Sequence, residues 1–148
     1  MQGILSAFAL AAGVVLTLQL GAYATAGKSL GARGAELAAF FSFATGTLAL
    51  AAYLLATRVE WPTRPALAAV PWWGWSGGLL GVFYVVTATV VGPRLGVAVF
   101  FALVVLGQLL SALLVDHYGW LGFVQHSISV SRLAGAVLLL AGVVLISR

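Results

Sequence analysis

Residues 95–115 read LGVAVFFALVVLGQLLSALLV, a stretch without a charged side chain and with a single amide, Gln108. The hydrocarbon core of a bilayer is about 30 Å thick, and about 20 helical residues cross it. The length and apolar character of this stretch therefore predict a membrane-spanning helix. Helix is favoured over strand because backbone groups in lipid must find their partners within the segment.

Four further stretches share this character, and together they predict an all-α integral membrane protein. The predicted helices cover residues 4–26, 35–56, 72–91, 95–115 and 130–147 of one transmembrane domain, 1–148. Of the 148 residues, 63% are hydrophobic and only 7% are charged, which is outside the range of soluble proteins. The predicted architecture is a bundle of five transmembrane helices that forms one half of an antiparallel, inverted-symmetry dimer.

The predicted connections are polar or rich in glycine and proline. They lie around residues 28–34, 58–71, 92–94 and 116–129. The sequence PWWGW, 71–75, places three tryptophans where the third helix enters the bilayer, as interfacial aromatic side chains prefer.

The charge and cysteine content exclude several classes of function. Without cysteine there is no disulfide framework, thiolate metal site or thiol nucleophile. The net charge is +4, but the seven basic residues are scattered singly between apolar runs and form no patch for nucleic acid. No cofactor, metal or nucleic-acid partner is predicted.

The distribution of basic residues bears on orientation in the membrane. Five spans place the termini on opposite sides, which divides the seven basic residues three against four. The two sets are Arg58, Arg64 and Arg132 against Lys28, Arg33, Arg94 and Arg148. This balance barely favours one orientation. Either the first loop fixes a single topology, or the chain inserts both ways and pairs with its own inverted copy.

Several stretches resemble the YdcZ-like family of small bacterial membrane proteins, which is grouped with the drug/metabolite transporters. They are QLGAYATAGKSLG (19–31), FSFATGT (41–47), PWWGWSGGLLGVFYVVTATVVGPRLG (71–96), GQLLSALLVDHYG (107–119) and RLAGAVLLLAGVVLI (132–146). The resemblance implies a five-helix unit found as dual-topology homodimers, as oppositely oriented pairs of related chains or as fused ten-helix chains. It implies a transporter of the bacterial inner membrane, with no established substrate.

Polar side chains within the spans are candidate solute ligands because burying them in a membrane is costly. Gln19 and Gln108 carry uncharged amides that can donate and accept hydrogen bonds. Tyr23 follows Gln19 by four residues on the same helical face, and Tyr84 lies on the third predicted helix. These four residues are the predicted substrate-binding set. The alternative is that each only joins helices or packs in the core.

Small residues recur at helical spacing and predict faces where helices approach closely. The predicted packing residues are Gly13, Gly21, Gly77, Gly81, Gly107, Ser111, Gly135 and Gly142. They fit either static contacts or seams that slide during transport. The pair in the last helix is also a candidate interface with a partner chain.

The last predicted loop begins with Asp116 and His117, and Arg132 opens the fifth helix on the same side. An ion pair that locks the loop is predicted between Asp116 and a basic residue on the same side, either Arg132 or one of Arg58 and Arg64. Proton coupling of Asp116 together with His117 is the alternative. No carboxylate lies deep in any span, which argues against proton exchange at a mid-membrane glutamate. Enzymatic activity is not predicted, because no catalytic constellation lies within the bilayer.

Taken together, these features predict a small-molecule carrier that works by alternating access as an antiparallel homodimer in the lipid bilayer. A dual-topology passive ion channel and a non-transporting structural subunit remain open alternatives.

Overall fold

The computed structural model describes residues 2–148, and every regular element among them is helical. The α-helices are α1 (Gln2–Ser29), α2 (Gly34–Ala56), α3 (Arg64–Ala68), α4 (Gly77–Leu95), α5 (Val97–Tyr118) and α6 (Val130–Ile146), with short 3₁₀ helices at Trp72–Ser76 and Trp120–Gly122. The prediction of an all-helical membrane protein is confirmed.

Four helical stretches within residues 2–148 are long and apolar enough to cross a membrane. They are Gln2–Ser29, Gly34–Ala56, Trp72–Leu95 and Val97–Tyr118. The helix α6 is also apolar but has 17 residues, a length of about 26 Å at about 1.5 Å per residue. That α6 forms a fifth span stays a prediction.

The described chain falls into two compact units, Met1–Val90 and Val91–Arg148. In the first unit α1 packs against α2, and in the second α5 packs against α6. Only 6% of the most apolar stretch of α1 is buried, so most of its side chains are available to lipid or to another chain.

The α1–α2 connection is closed by an approach of backbone to backbone. Leu30 N–H donates to the Gly27 carbonyl at 3.2 Å, and Gly34 N–H donates to the Gly31 carbonyl at 3.0 Å. Gly31 has φ +86°, which a residue with a side chain rarely adopts. A methyl group at Gly34 would overlap the carbonyl group of Gly27. The hairpin therefore requires glycine at both Gly27 and Gly34.

The segment between α2 and α4 contains more structure than the prediction of a surface linker. Thr63 caps α3 by accepting a hydrogen bond from Ala66 N–H at 3.4 Å, and Pro65 occupies the first turn. The tryptophan-rich segment Trp72–Ser76 is a 3₁₀ helix, and regular α-helix begins at Gly77 rather than at residue 72. Ser76 helps to hold this tighter turn because its hydroxyl group donates to the Trp73 carbonyl at 2.7 Å.

The break between α4 and α5 lies at Gly96, beyond the predicted loop at residues 92–94. Pro93 lies within the last turn of α4, where it removes the N–H donor for the Thr89 carbonyl without ending the helix. Gly96 has φ +85° and interrupts the helical path before α5 begins at Val97. The conformational freedom of glycine, rather than proline, decides this boundary.

Several serine and threonine hydroxyl groups on the long helices bond to a backbone carbonyl of their own helix. Thr17 donates to the Gly13 carbonyl at 3.2 Å, and Thr25 donates to the Gly21 carbonyl at 2.9 Å. The same pattern is found at Ser6, Thr45, Thr47, Thr89 and Ser111. These polar groups are therefore satisfied without a neighbouring helix.

Candidate functional site

The groove between α1 and α2 contains a pair of polar side chains from the predicted substrate-binding set. Gln19 and Tyr23 are four residues apart and share one face of α1. The Gln19 Nε2 group donates a hydrogen bond to the Tyr23 hydroxyl oxygen. Tyr23 is buried, with 5% of its surface exposed, and Gln19 is half-buried. Burial and hydrogen bonding together fix the orientation of both side chains.

Residues of α2 form the opposite wall of this groove. The volume of the groove is about 270 Å³. The full lining consists of Gln19, Tyr23, Ser42, Phe43, Gly46, Thr47 and Leu50. Ser42, Gly46 and Leu50 recur every four residues and so lie along one helical face. No lining residue is charged. The groove is thus mostly apolar, with polar groups at a few points, as is usual for small-molecule sites.

Hydrogen-bonding capacity remains in this groove after the internal bonds are formed. The Thr47 hydroxyl group donates to the Phe43 carbonyl at 2.8 Å, so it is already engaged. The Gln19 Oε1 atom, the Tyr23 hydroxyl hydrogen and the Ser42 hydroxyl group have no partner among residues 2–148. The groove therefore presents both donors and an acceptor to a solute.

Tyr84 contacts the site indirectly, through the cluster that buries Tyr23. Its half-buried side chain packs against a buried cluster of Tyr23, Ala38, Ala39 and Val85. Tyr84 does not line the α1–α2 groove. The structure thus joins Tyr84 to Tyr23 through packing.

Gln108 lines a different groove, in the second unit. This groove has a volume of about 270 Å³ and also contains Ser111, Val115 and Asp116. The Ser111 hydroxyl group donates to the Gln108 backbone carbonyl at 3.0 Å, whereas the Gln108 side chain is exposed. Gln19 and Tyr23 therefore line one groove, and Gln108 lines another.

The charged residues of the second unit lie at one end of the α5–α6 pair. Arg132 Nη1 is 3.3 Å from Asp116 Oδ2, and the two side chains are 39% and 35% exposed. Among residues 2–148, the His117 ring forms no hydrogen bond or ion pair with Asp116 or Arg132. Its Nδ1 atom instead accepts a hydrogen bond from Ile128 N–H at 3.4 Å.

The loop after α5 folds back onto the end of that helix. Gln125 Nε2 donates to the His117 carbonyl at 2.8 Å, and His126 N–H donates to the Asp116 carbonyl at 2.7 Å. Gly119 ends α5 in the left-handed conformation, with φ +63°. Side chains and backbone thus hold this connection together. Among residues 2–148, no group of three or more His, Asp or Glu side chains is placed to hold a metal ion.

The chain matches a known family of membrane proteins over nearly its whole length. Residues 4–145 match the family described as "Putative inner membrane exporter, YdcZ". The chain belongs to this family. No curated protein and no solved structure matches the chain. As a YdcZ-family member with several membrane-length apolar helices, it is a multi-pass inner-membrane protein. The family description is that of a transporter rather than of an enzyme.

The predicted packing glycines of this YdcZ-family chain mostly face open space. A methyl group would meet no atom within 4 Å at Gly13, Gly21, Gly77, Gly107, Gly135 or Gly142. At Gly81 a methyl group would lie 3.7 Å from the ring of Phe43, so α4 approaches α2 at this point. The interface of Gly135 and Gly142 with a second chain stays a prediction.

Sequence reasoning missed the closest helix contact, which is between Gly27 and Gly34. The predicted helix contacts lie on small-residue stripes within the spans, whereas Gly27 and Gly34 lie on either side of the first connection. Glycine on both sides of a short turn was the available signal.

Proposed function

We propose that the chain exports a small solute across the inner membrane and that the solute binds in the α1–α2 groove. The observation that carries this proposal is the groove of about 270 Å³, in which Gln19 and Tyr23 are held in place among apolar walls. Membership of a family described as "Putative inner membrane exporter, YdcZ" supports transport as the activity.

The chemistry of the groove favours a neutral or weakly charged, amphipathic solute. The free Gln19 Oε1 atom can accept a hydrogen bond, and the Tyr23 and Ser42 hydroxyl groups can donate. With no lining charge, a strongly ionic solute would lose its hydration without compensation. The ring of Phe43 and the side chain of Leu50 suit an apolar portion of the same molecule.

Alternating access by an antiparallel homodimer is part of the same proposal. The three-against-four division of basic residues permits insertion in both orientations. The low burial of α1 leaves an apolar surface that a second copy could cover. Two inverted copies would create the internal symmetry used by many carriers that expose one site to each side in turn. An oppositely oriented related chain could take the place of the second copy.

The test of the solute site begins with a thermal-stability screen of the purified protein against neutral, zwitterionic, cationic and anionic small amphiphiles. A bound solute at about 100 times its Kd stabilises the protein by about 2.7 kcal/mol. We expect a stabilising solute to be neutral or weakly charged and to lose its effect in Gln19→Ala. The same substitution should abolish export of that solute from proteoliposomes.

Thr17→Ala is the matched control for Gln19→Ala, because Thr17 lies on the same helix, outside the groove, and bonds only to its own backbone. It should leave binding and export unchanged. Gln108→Ala then reports whether the second groove also contacts the solute. Full solute binding and export in a folded Gln19→Ala variant would refute the assignment of the α1–α2 groove.

The antiparallel arrangement is tested separately by labelling single cysteines introduced at Gln2 and Arg148. The chain contains no cysteine, so labelling has no background. In a dual-topology protein each position should react from both sides of the membrane. Labelling of either position from one side alone would rule out the dual-topology homodimer.

A further inference from the structure

We propose that the groove between α5 and α6 binds a membrane phospholipid whose headgroup carries a primary ammonium group. An acyl chain would lie between the helices, and the headgroup would rest on the Asp116–Arg132 ion pair. This site is separate from the proposed solute groove, and its occupant is a lipid rather than a transported solute.

The apolar part of this groove matches an acyl chain. Its volume is about 450 Å³, within the range of small-molecule sites. The lining residues are Leu109, Ala112, Leu113, Asp116, Arg132, Gly135 and Leu139. All but the two charged residues are apolar. The absence of a side chain at Gly135 keeps the α6 wall open, since a methyl group there would meet no atom within 4 Å.

The polar end of the groove is complementary to a zwitterionic headgroup. The ion pair uses one carboxylate oxygen and one guanidinium nitrogen, Asp116 Oδ2 and Arg132 Nη1. The Asp116 Oδ1 atom and the other two guanidinium nitrogens of Arg132 have no hydrogen-bond partner among residues 2–148, whereas the Arg132 backbone N–H donates to the Ser129 hydroxyl oxygen. A phosphate group can therefore bond to the guanidinium group while an ammonium group bonds to the carboxylate.

The position of the ion pair corresponds to the headgroup level of a bilayer. Asp116 lies in the last turn of α5, and Arg132 lies in the first turn of α6. Tyr118 and Trp120 follow at the same end of α5, with their rings stacked 4.8 Å apart. Such aromatic side chains favour the membrane–water interface.

The groove extends inward from this level. Leu109 precedes Asp116 by about two turns, and Leu139 follows Arg132 by the same distance along α6. An acyl chain that starts at the ion pair therefore meets apolar walls over its first part.

Headgroup chemistry distinguishes the expected lipid from others. A primary ammonium group has three N–H donors for the Asp116 carboxylate, whereas a quaternary ammonium group has none. A headgroup that carries only negative charge would satisfy Arg132 but would be repelled by Asp116. We therefore expect phosphatidylethanolamine to bind better than phosphatidylcholine or phosphatidylglycerol with the same acyl chains.

The experiment measures lipid retained by the full-length protein, using native mass spectrometry after exchange into mixed micelles of each of the three phospholipids. Wild-type protein should retain phosphatidylethanolamine about tenfold more than phosphatidylcholine, the difference expected for one charge-assisted hydrogen bond. Asp116→Asn should abolish this preference. Equal retention of all three lipids by the wild-type protein would overturn the proposal.

Filling the groove tests the acyl-chain site independently of charge. Gly135→Leu places a side chain in the groove and should remove the retained lipid. Gly142→Leu is the matched control, because Gly142 lies on the same helix outside this lining and also faces open space. Lipid loss in both variants or in neither would contradict the site.

Photocrosslinking and the oligomeric state provide two further tests of the site. A phosphatidylethanolamine with a photoreactive acyl chain should crosslink to α5 and α6 of the wild-type protein, which requires no variant to fold. Crosslinks confined to other helices would refute the site. If Gly135→Leu instead changed the oligomeric state and left lipid retention unchanged, a second copy of the chain would cover this groove, and the lipid proposal would be wrong.

Discussion

The α1–α2 and α5–α6 hairpins join long apolar helices by different means. In the first, backbone meets backbone at Gly27 and Gly34 across a connection of residues 30–33. In the second, the longer connection of residues 119–129 is held mainly by hydrogen bonds and by the Asp116–Arg132 ion pair.

The first hairpin is thus closed by a steric fit, and the second is closed by polar contacts. The first hairpin tolerates no added side chain at its contact but depends little on charge. The second is held by several polar contacts, so we expect the loss of any one of them to have a smaller effect. The first hairpin contains the uncharged α1–α2 groove, and the second contains the α5–α6 groove with the Asp116–Arg132 ion pair.

The largest effect is expected for Gly34→Ala. The new methyl group would overlap the Gly27 carbonyl group, and backbone cannot move aside as a flexible side chain can. We expect a loss of at least about 1–3 kcal/mol in stability, the usual range for overpacking. The measurement is thermal unfolding of the purified protein.

Gly21→Ala is the control for this substitution, since a methyl group at Gly21 meets no atom within 4 Å. It should be neutral or slightly stabilising, because alanine favours helix over glycine. Equal melting temperatures for the Gly34→Ala and wild-type proteins would show that the first closure is not steric.

A moderate effect is expected for Gln125→Ala in the second hairpin. This change removes the 2.8 Å hydrogen bond to the His117 carbonyl. The expected loss is about 0.5–1.5 kcal/mol, with faster amide hydrogen exchange in residues 119–129 as the direct readout. Gln2→Ala, at the start of α1, should leave this exchange unchanged. Unaltered exchange in Gln125→Ala would mean that the Gln125 hydrogen bond does not help to hold the loop.

The smallest effect is expected from the ion pairs. Partial exposure of Arg132 and Asp116 limits their mutual stabilisation to at most about 1 kcal/mol, measured by a double-mutant cycle with Arg132→Gln and Asp116→Asn. High salt should reduce it further. The Arg33–Glu36 pair, with Arg33 82% exposed, serves as the comparison and should contribute less. A larger coupling energy for Arg33–Glu36 would reverse the proposed contrast between the hairpins.

The apolar sequence predicted the long helices because the bilayer imposes both a length and an absence of charge. Their ends depended on finer detail. Pro93 was expected to lie in a loop, but the helix continues through it to Leu95 and breaks at Gly96. The tryptophan-rich entry to the third span forms a 3₁₀ helix because local turns, rather than hydrophobicity, decide its conformation.

The candidate site was predictable to the extent that it is local. Gln19 and Tyr23 share a helical face, so their proximity follows from spacing alone. The walls supplied by Ser42 and Leu50 depend on how α2 packs against α1, which the sequence pattern does not encode in an obvious way. The α5–α6 groove was not predicted. A small residue such as Gly135 predicts a close helix contact, but here its missing side chain leaves an open space instead.

The hydroxyl groups that bond to their own helices have a consequence for biogenesis. When α1 reaches the lateral exit of the translocon, the hydroxyl groups of Thr17 and Thr25 are already hydrogen-bonded within the helix. Gln19 and Tyr23 also bond to each other within α1, so the helix can partition into lipid with few unsatisfied polar groups before a later helix arrives. Membrane integration would then proceed one helix at a time, and tertiary contacts such as Gly27–Gly34 would form only afterwards, inside the bilayer.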